Sequence, residues 1–525
     1  MIHMDTLIKN VTIMDGTGEK AFTGTVGMEN GKLRIFRTPD PQIEAKTVLN
    51  GAGLTAVPGF IDTHSHGDLT MKGTFATASK ITQGITTQVA GQCSFSMFPC
   101  EPDPESYRVF SKFIGGIAPH PDMPENAEAC ESAGTFFRWL DTLDNPVKTY
   151  SFVGLGSLRL WAMGFEDRKP DETELKRMKD MLRRCMREGA LGLSSGLVYS
   201  PCRFASNEEI LELLHVVAEE GGAYATHPRN EADHAIEARR EAIQLAAEAG
   251  VPLCDSHMKT AGRDNWGKSV TILDDVNKAM DSGLRVLMDN YPYFAGNTSL
   301  SVSIPPRYLT EGLPGILKAL KDPVESRKIE EEIGRKSNYD NYIYNAGGFS
   351  GTFVSSCPEF HDAESKFITD YAKEIGVTPF EAYRQILLKN HGLGLGIYFH
   401  LNKEDVYRIF EHPFCAIGTD GLLGLASENA HPRTFGTMPR AYRLLTEDTN
   451  ICTPEQAIHR MTGLTAEFLR LDGKGFLQDG KDADVLLLDL DNFRDTSTYE
   501  NGTTRCTGIE HIFVGGKEIE MEKYR

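Results

Sequence analysis

Long apolar runs are missing from this 525-residue chain. No stretch approaches the roughly 18 apolar residues of a bilayer-spanning helix. The opening MIHMDTLIKNVTIMDGTG has no basic segment leading into an apolar one, which argues against a secretion signal. Basic residues are outnumbered: 55 Lys and Arg face 74 Asp and Glu, a net charge of −19. Such a surface repels nucleic acid and anionic membrane, so neither is expected as a partner. It also makes an isolated Lys or Arg beside a site informative, because an anionic ligand then needs a local basic clamp. Cysteine is sparse, 10 residues without a paired framework spacing, which reads as reduced thiols in a cytoplasmic protein, each free to act as a ligand. Low-complexity bias is lacking too. At 40% hydrophobic and 25% charged residues the composition is that of a folded globular protein, and the length calls for one large barrel with an accessory unit or for several domains.

What is present is a change of rhythm along the chain. TLIKNVTIMDG and GTVGMENGKLRIF alternate in period two between Gly and Asn turns, as do DADVLLLDLD and GIEHIFVGGKEIE near the other end. Two strands alone are marginal in water, so both ends are expected to build one small β-sandwich domain, residues 1–56 with 474–525. Between them eight short apolar runs alternate with helical text: GFIDTH, GITTQVAG, TYSFVGLGS, GALGLSSG, GAYATH, VPLCDSH, LRVLMDNY and CAIGTD. Asp171 with Glu174 forms a capping box before Leu175, Met178, Leu182, Cys185 and Met186, and Gly189 stops that helix. Ser206 with Glu209 opens another, with Leu211, Leu214 and Ala218 as its expected apolar face. Eight strands each followed by helix predict an α/β fold, a TIM-like (β/α)8 barrel over residues 57–473. Residues 301–395 break the rhythm and read as an insertion, a candidate lid.

Barrels of this type carry their chemistry at the carboxyl ends of the strands. The first run ends in His64-Ser65-His66, the second in Cys93, the fifth in His227, the sixth in His257 and the eighth in Asp420. Residues i and i+2 of a strand face the same way about 7 Å apart, close enough for two imidazoles to reach one ion. A lone His-x-His says little; donor types at four further strand ends make a metal centre the leading reading. Imidazole, thiolate and carboxylate together suit Zn²⁺, with one or two ions left open. Lys259 shares the side of His257 if the strand continues, and Arg433 can grip a carboxylate bidentately. Each residue also has a plain structural reading: Cys93 as a small buried hydrophobe, Asp420 as a turn residue before Gly421, Lys259 and Arg433 as surface charges. His215, His234 and His459 fall in helical text and are read as structural, and His431 as shaping its loop.

PGFIDTHSHGD, GITTQVAGQC, GALGLSSGLVYSP, YATHPRNE, SHMKTAG, DNYPY, IGTDG and HPRTFGTMPR resemble the successive motifs of the amidohydrolase superfamily, in particular the N-acyl-D-amino-acid deacylases, or D-aminoacylases. The resemblance implies that Cys93, His227 and His257 hold a tighter zinc, and that His64, His66 and Asp420, with Cys93 shared, line a weaker second position. It implies carboxylate-binding roles for Tyr199 and for Tyr291 or Tyr293, beside Lys259 and Arg433. Cyclic-amide hydrolases of the superfamily carry a carboxylated lysine on the fourth strand; this chain has Ser194 and Ser195 there. Family members commonly show Gly-Asn-Cys-Gly around the cysteine, whereas this chain has Gly91-Gln92-Cys93-Ser94.

The expected reaction is hydrolysis of the amide bond of an N-acyl-D-amino acid, a small-molecule substrate. A metal-activated water would attack, Asp420 would act as general base and then acid, and His66 would assist at the oxyanion. Two alternatives stand beside it: a hydantoinase-like cyclic-amide hydrolase, and a non-catalytic scaffold of the same fold.

Overall fold

The computed structural model describes residues 3–39 and 43–524. All eight expected runs contain strands, and they pair in chain order: Phe60–Asp62, Ile85–Ala90, Lys148–Ser151 continued by Val153–Gly154, Gly192–Gly196, Ala223–His227, Leu253–Asp255, Val286–Asn290 and Cys415–Ile417. Every ladder among them is parallel. The last strand also reaches the first, since Thr63 N donates to Ile417 O at 3.1 Å. The strands are buried along almost their whole length, which is why their sequences read as unbroken apolar runs rather than as alternation.

The connecting helices follow local signals. Asp171 accepts from Glu174 N while the Glu174 carboxylate accepts from Asp171 N, both at 2.8 Å, and helix Glu172–Arg187 buries Met178, Leu182, Cys185 and Met186. Ser206 caps helix Asn207–Glu219, yet the buried face there is Ile210, Leu213, Leu214, Val216 and Val217; Leu211 is half-buried and Ala218 exposed. The helix is turned because Glu209 points inward to a buried guanidinium, that of Arg159, at 2.6 Å.

Strands from both chain ends share one eight-stranded sheet. Thr55–Pro58 pairs antiparallel with Val485–Leu488, which pairs with Ile509–Val514, and His3–Ile13 pairs with Phe22–Glu29. Thr55–Pro58 runs across the boundary expected at residue 56 and leads directly to the first parallel strand. The interruption before Cys415–Ile417 has its own antiparallel sheet, Gly296–Ser299, Thr352–Ser356, Lys366–Phe367 and Leu395–Tyr398, and its own core around Leu300, Ile316, Leu320, Ile329 and Tyr383. It therefore begins at Gly296, earlier than the expected residue 301. Among the described residues no helix is long and apolar enough to cross a membrane.

Candidate active site

The six donors offered by the strand ends meet in one buried place. Cys93 Sγ lies 3.4 Å from His64 Nε2, 3.3 Å from His257 Nε2 and 3.8 Å from His227 Nδ1. Asp420 Oδ1 lies 3.3 Å from His66 Nε2 and 3.7 Å from His64 Nε2. Ligands of one tetrahedral ion with bonds of roughly 2.0–2.3 Å stand about 3.3–3.8 Å apart, so these spacings fit a bound divalent metal. Convergence of the tips is built into the backbone. Cys93, His257 and Asp420 have φ of +53°, +33° and +48°, left-handed values that side-chain-bearing residues adopt at a cost of about 1–3 kcal/mol each. Gly196 allows the close approach: a Cβ there would stand 2.2 Å from Cys93 O.

The outward ring nitrogens have partners of their own. His64 Nδ1 faces Asp289 Oδ1 at 3.3 Å, His257 Nδ1 faces Glu231 Oε1 at 3.2 Å and His227 Nε2 faces Glu231 Oε2 at 3.4 Å. Glu231 thus addresses the outer nitrogens of two rings whose inner nitrogens address the sulfur, the place of an orienting carboxylate. Neither Asp289 nor Glu231 was anticipated from the sequence, although Glu231 stands at i+4 from His227 and Asp289 ends the run LRVLMDN.

Charge is stored in this cluster. Burial by itself would raise the Cys93 thiol, yet His257 and His64 hold it well below the ordinary thiol range. Burial likewise opposes ionisation of Asp420 and Glu231; Arg433 and then His257 hold Asp420 well below the usual carboxylate range, and His227 with Lys259 does the same for Glu231. His66 is raised to about 9 against the effect of its burial, chiefly by its bond to Asp420. Anionic sulfur and oxygen balanced by imidazolium protons is the arrangement that a cation enters by displacing protons.

No family model matches the chain. Likeness to individual proteins nevertheless runs its full length. The D-aminoacylase of Alcaligenes xylosoxydans xylosoxydans is 29% identical over 527 residues, spanning 99% of this chain and 95% of that protein. The same organism's N-acyl-D-aspartate deacylase is 29% identical, spanning 98% and 92%. The crystal structure of N-acyl-D-glutamate deacylase from Bordetella bronchiseptica, complexed with zinc and a phosphonate that mimics the tetrahedral intermediate, matches with a TM-score of 0.82 at 28% identity, covering 99% of this chain and 97% of that one. Over its full length the chain is similar to D-aminoacylases and N-acyl-D-amino-acid deacylases.

Around this cluster lies a cavity of about 20 Å³ lined by His66, Cys93, Lys259, Tyr291, His400 and Asp420, among others. Lys259 is buried and donates to Glu231 at 2.9 Å, with its Nζ also 2.6 Å from His257 Nδ1. Arg433 is fully buried; its Nη1 pairs with Asp420 Oδ2 at 2.8 Å and its Nη2 donates to Asn297 O at 3.0 Å. Both cations stand over the Tyr291 ring, at 5.9 and 4.5 Å, and the Tyr291 hydroxyl has no hydrogen-bond partner among the described residues. Tyr199 lines the cavity edge-on to His227, with its hydroxyl 3.0 Å from Thr298 Oγ1.

Tyr293 is a correction. It is absent from the cavity wall: its hydroxyl donates to Pro432 O at 3.2 Å and its ring packs against His431 and Arg440. The strand has ended at Asn290, and Tyr293 N bonds back to Tyr291 O at 2.9 Å, so the two tyrosines diverge instead of sharing a strand face.

Two further features frame the site. Where cyclic-amide hydrolases place a lysine, Ser194 supports the Cys93 loop by accepting from Ser94 N at 3.3 Å and donating to Gly91 O. His400, from the end of the insertion, was not anticipated at all. Its ring is buried on the cavity wall, neither nitrogen has a partner among the described residues, and burial followed by Lys259 pushes its pKa down to about 3.

Proposed function

We propose that this protein hydrolyses the amide bond of N-acyl-D-amino acids, releasing a D-amino acid and a carboxylate, with zinc as its metal. The observation that carries the reading is the Cys93 sulfur standing 3.3–3.8 Å from three imidazole nitrogens, with Asp420 against His66 and His64. Cys93, His227 and His257 would hold the tighter ion; His64, His66 and Asp420, with Cys93 shared, would hold a second. When bound, zinc supplies Lewis acidity that polarises the amide carbonyl and brings the ionisation of water toward neutral pH. The eight parallel strands are read as a closed (β/α)8 barrel whose carboxyl ends form this mouth.

In this reading Asp420 accepts a proton as the water oxygen bonds to the acyl carbon. It returns that proton to nitrogen as the C–N bond breaks, so that an amine departs rather than an amide anion. The ion pair with Arg433 keeps Asp420 ionised and fixes Oδ2, leaving Oδ1 turned to His66. His66 is placed to donate to the tetrahedral oxyanion. Lys259, Tyr291 and Arg433 supply two buried cations and a free hydroxyl for the substrate's α-carboxylate, the local clamp that a chain of net charge −19 requires. Tyr199 closes the opposite wall.

The test is a panel of N-acetyl amino acids given to zinc-loaded protein. D-enantiomers should be hydrolysed and L-enantiomers spared, and Cys93→Ala should lose both the zinc of the Cys93 cluster and activity. Turnover of neither enantiomer by zinc-replete enzyme rejects the proposal.

A further inference from the structure

Two glutamates from distant parts of the chain converge beside the insertion strand Thr352–Ser356. Glu428, in the loop between Cys415–Ile417 and helix Arg433–Arg443, has a fully covered side chain. Its Oε2 accepts from Ser356 Oγ at 2.7 Å and from Leu425 N at 2.9 Å. Glu364 is only 13% exposed, and its Oε1 accepts from Cys357 N at 2.6 Å. Each carboxylate faces an imidazole: His120 Nε2 stands 3.2 Å from Glu428 Oε1, and His361 Nδ1 stands 3.1 Å from Glu364 Oε1. Donor atoms of His361, Glu364 and Glu428 all lie within 4.8 Å of one another.

The charge balance of this cluster is incomplete. Among the described residues, neither glutamate has a Lys or Arg within ion-pair distance; the two histidines are their only ionic partners. Covering two neighbouring carboxylates without a permanent cation costs several kcal/mol per charge on the order given for buried ions. One imidazole and two carboxylates thus offer donor atoms within 4.8 Å of one another, hard oxygen and nitrogen ligands of the kinds that hold zinc. We propose that His361, Glu364 and Glu428, with His120 orienting Glu428 from its other side, form a second, structural divalent-cation site, suited to zinc, outside the catalytic cluster.

The placement of this site gives it a role. Glu428 follows Asp420 by eight residues in the loop that also supplies Leu422 to the catalytic cavity, and His361 and Glu364 belong to the insertion. An ion held here pins the insertion to the loop that starts at the catalytic carboxylate. His361, 58% exposed, leaves an entry path, and the absence of sulfur from the donor set makes this the ion that a mild chelator removes first.

The test is zinc content per chain after equilibrium dialysis of the full-length protein, for wild type, Cys93→Ala, His361→Ala and Glu364→Gln. The last two should each hold one equivalent fewer than wild type, and Cys93→Ala should keep that equivalent while losing the catalytic one. Protease cleavage within residues 357–366 should slow at least fivefold on adding zinc to wild type, but not to His361→Ala. If both outer variants match the wild-type zinc content, the proposal is overturned. Glu428→Gln provides a third, independent removal of a ligand should either variant unfold. The outcome does not depend on which substrate the catalytic centre takes.

Discussion

Ser94 combines two unfavourable features next to the catalytic sulfur. Its φ is +74°, where a Cβ costs roughly 1–2 kcal/mol, and its buried hydroxyl oxygen has no hydrogen-bond partner among the described residues. Glycine, common in the family at this position, removes both. Ser94→Gly is therefore expected to raise stability by about 1 kcal/mol in urea unfolding of the zinc-loaded enzyme; a fall in stability would show that the hydroxyl is doing something glycine cannot. His400 is the residue whose loss should be felt by substrate alone. Its neutral ring offers one donor and one acceptor to a cavity in which neither is used, so His400→Ala should raise KM about tenfold, the worth of one good hydrogen bond, while zinc content stays unchanged. Unaltered KM would reduce His400 to packing against Tyr342 and Tyr398. Sequence reasoning could reach His64, His66, Cys93, His227, His257 and Asp420 because each ends an apolar run. It could not reach Glu231, Asp289 or His400. The first two act on the far side of imidazole rings, where an i+4 spacing from His227 and a place next to Asn290 at the end of a run are too common to single them out, and the third enters from outside the parallel strands.

At the level of elements, caps were legible and faces were not. Asp171 and Ser206 announce their helices because capping is a contact within one turn. The burial of Glu209 depends on Arg159, 50 residues away in helix Leu155–Met163, and this pair decides which side of Asn207–Glu219 faces inward. Both side chains are buried, with 0% and 2% exposure, so breaking the pair strands a charge. Arg159→Met should cost about 3–5 kcal/mol, whereas Arg159→Met with Glu209→Leu should recover most of it. Urea midpoints of the two variants and wild type provide the check, and equal midpoints for single and double variants would mean that Glu209 finds another partner. The insertion shows the same limit. Its flanking strands read GNTS and LGIY, too short and too polar at Gly296–Ser299 to alternate visibly, so its start was placed late.

Over the whole molecule, the closed cavity is too small for the proposed substrate, at about 20 Å³. Beyond Tyr199, which lines both spaces, lies an apolar chamber of about 860 Å³ walled by Phe95, Phe113, Phe165, Val302, Leu313 and Leu393. Those residues come from the segment after the second strand, the helix that follows it, the loop after helix Leu155–Met163 and the insertion, so no local stretch of sequence could have announced the chamber. Tyr199, whose hydroxyl lies 3.0 Å from Thr298 Oγ1, is common to the walls of both spaces. In the proposed reading, where Lys259, Tyr291 and Arg433 hold the α-carboxylate, the adjoining chamber is the large space offered to the substrate's apolar end. Each methylene buried there is worth about 0.8 kcal/mol, close to a fourfold gain in kcat/KM. Two homologous series separate the ends of the substrate: N-acyl groups from acetyl to octanoyl on one D-amino acid, and N-acetyl-D-amino acids of lengthening aliphatic side chain. One series should climb by about fourfold per carbon until the chamber fills, and Leu313→Arg, which places a charge in the wall, should flatten that climb while leaving the N-acetyl-D-alanine rate within twofold of wild type. If neither series climbs, the chamber is not a substrate pocket, and the apolar end of the molecule must leave by another route.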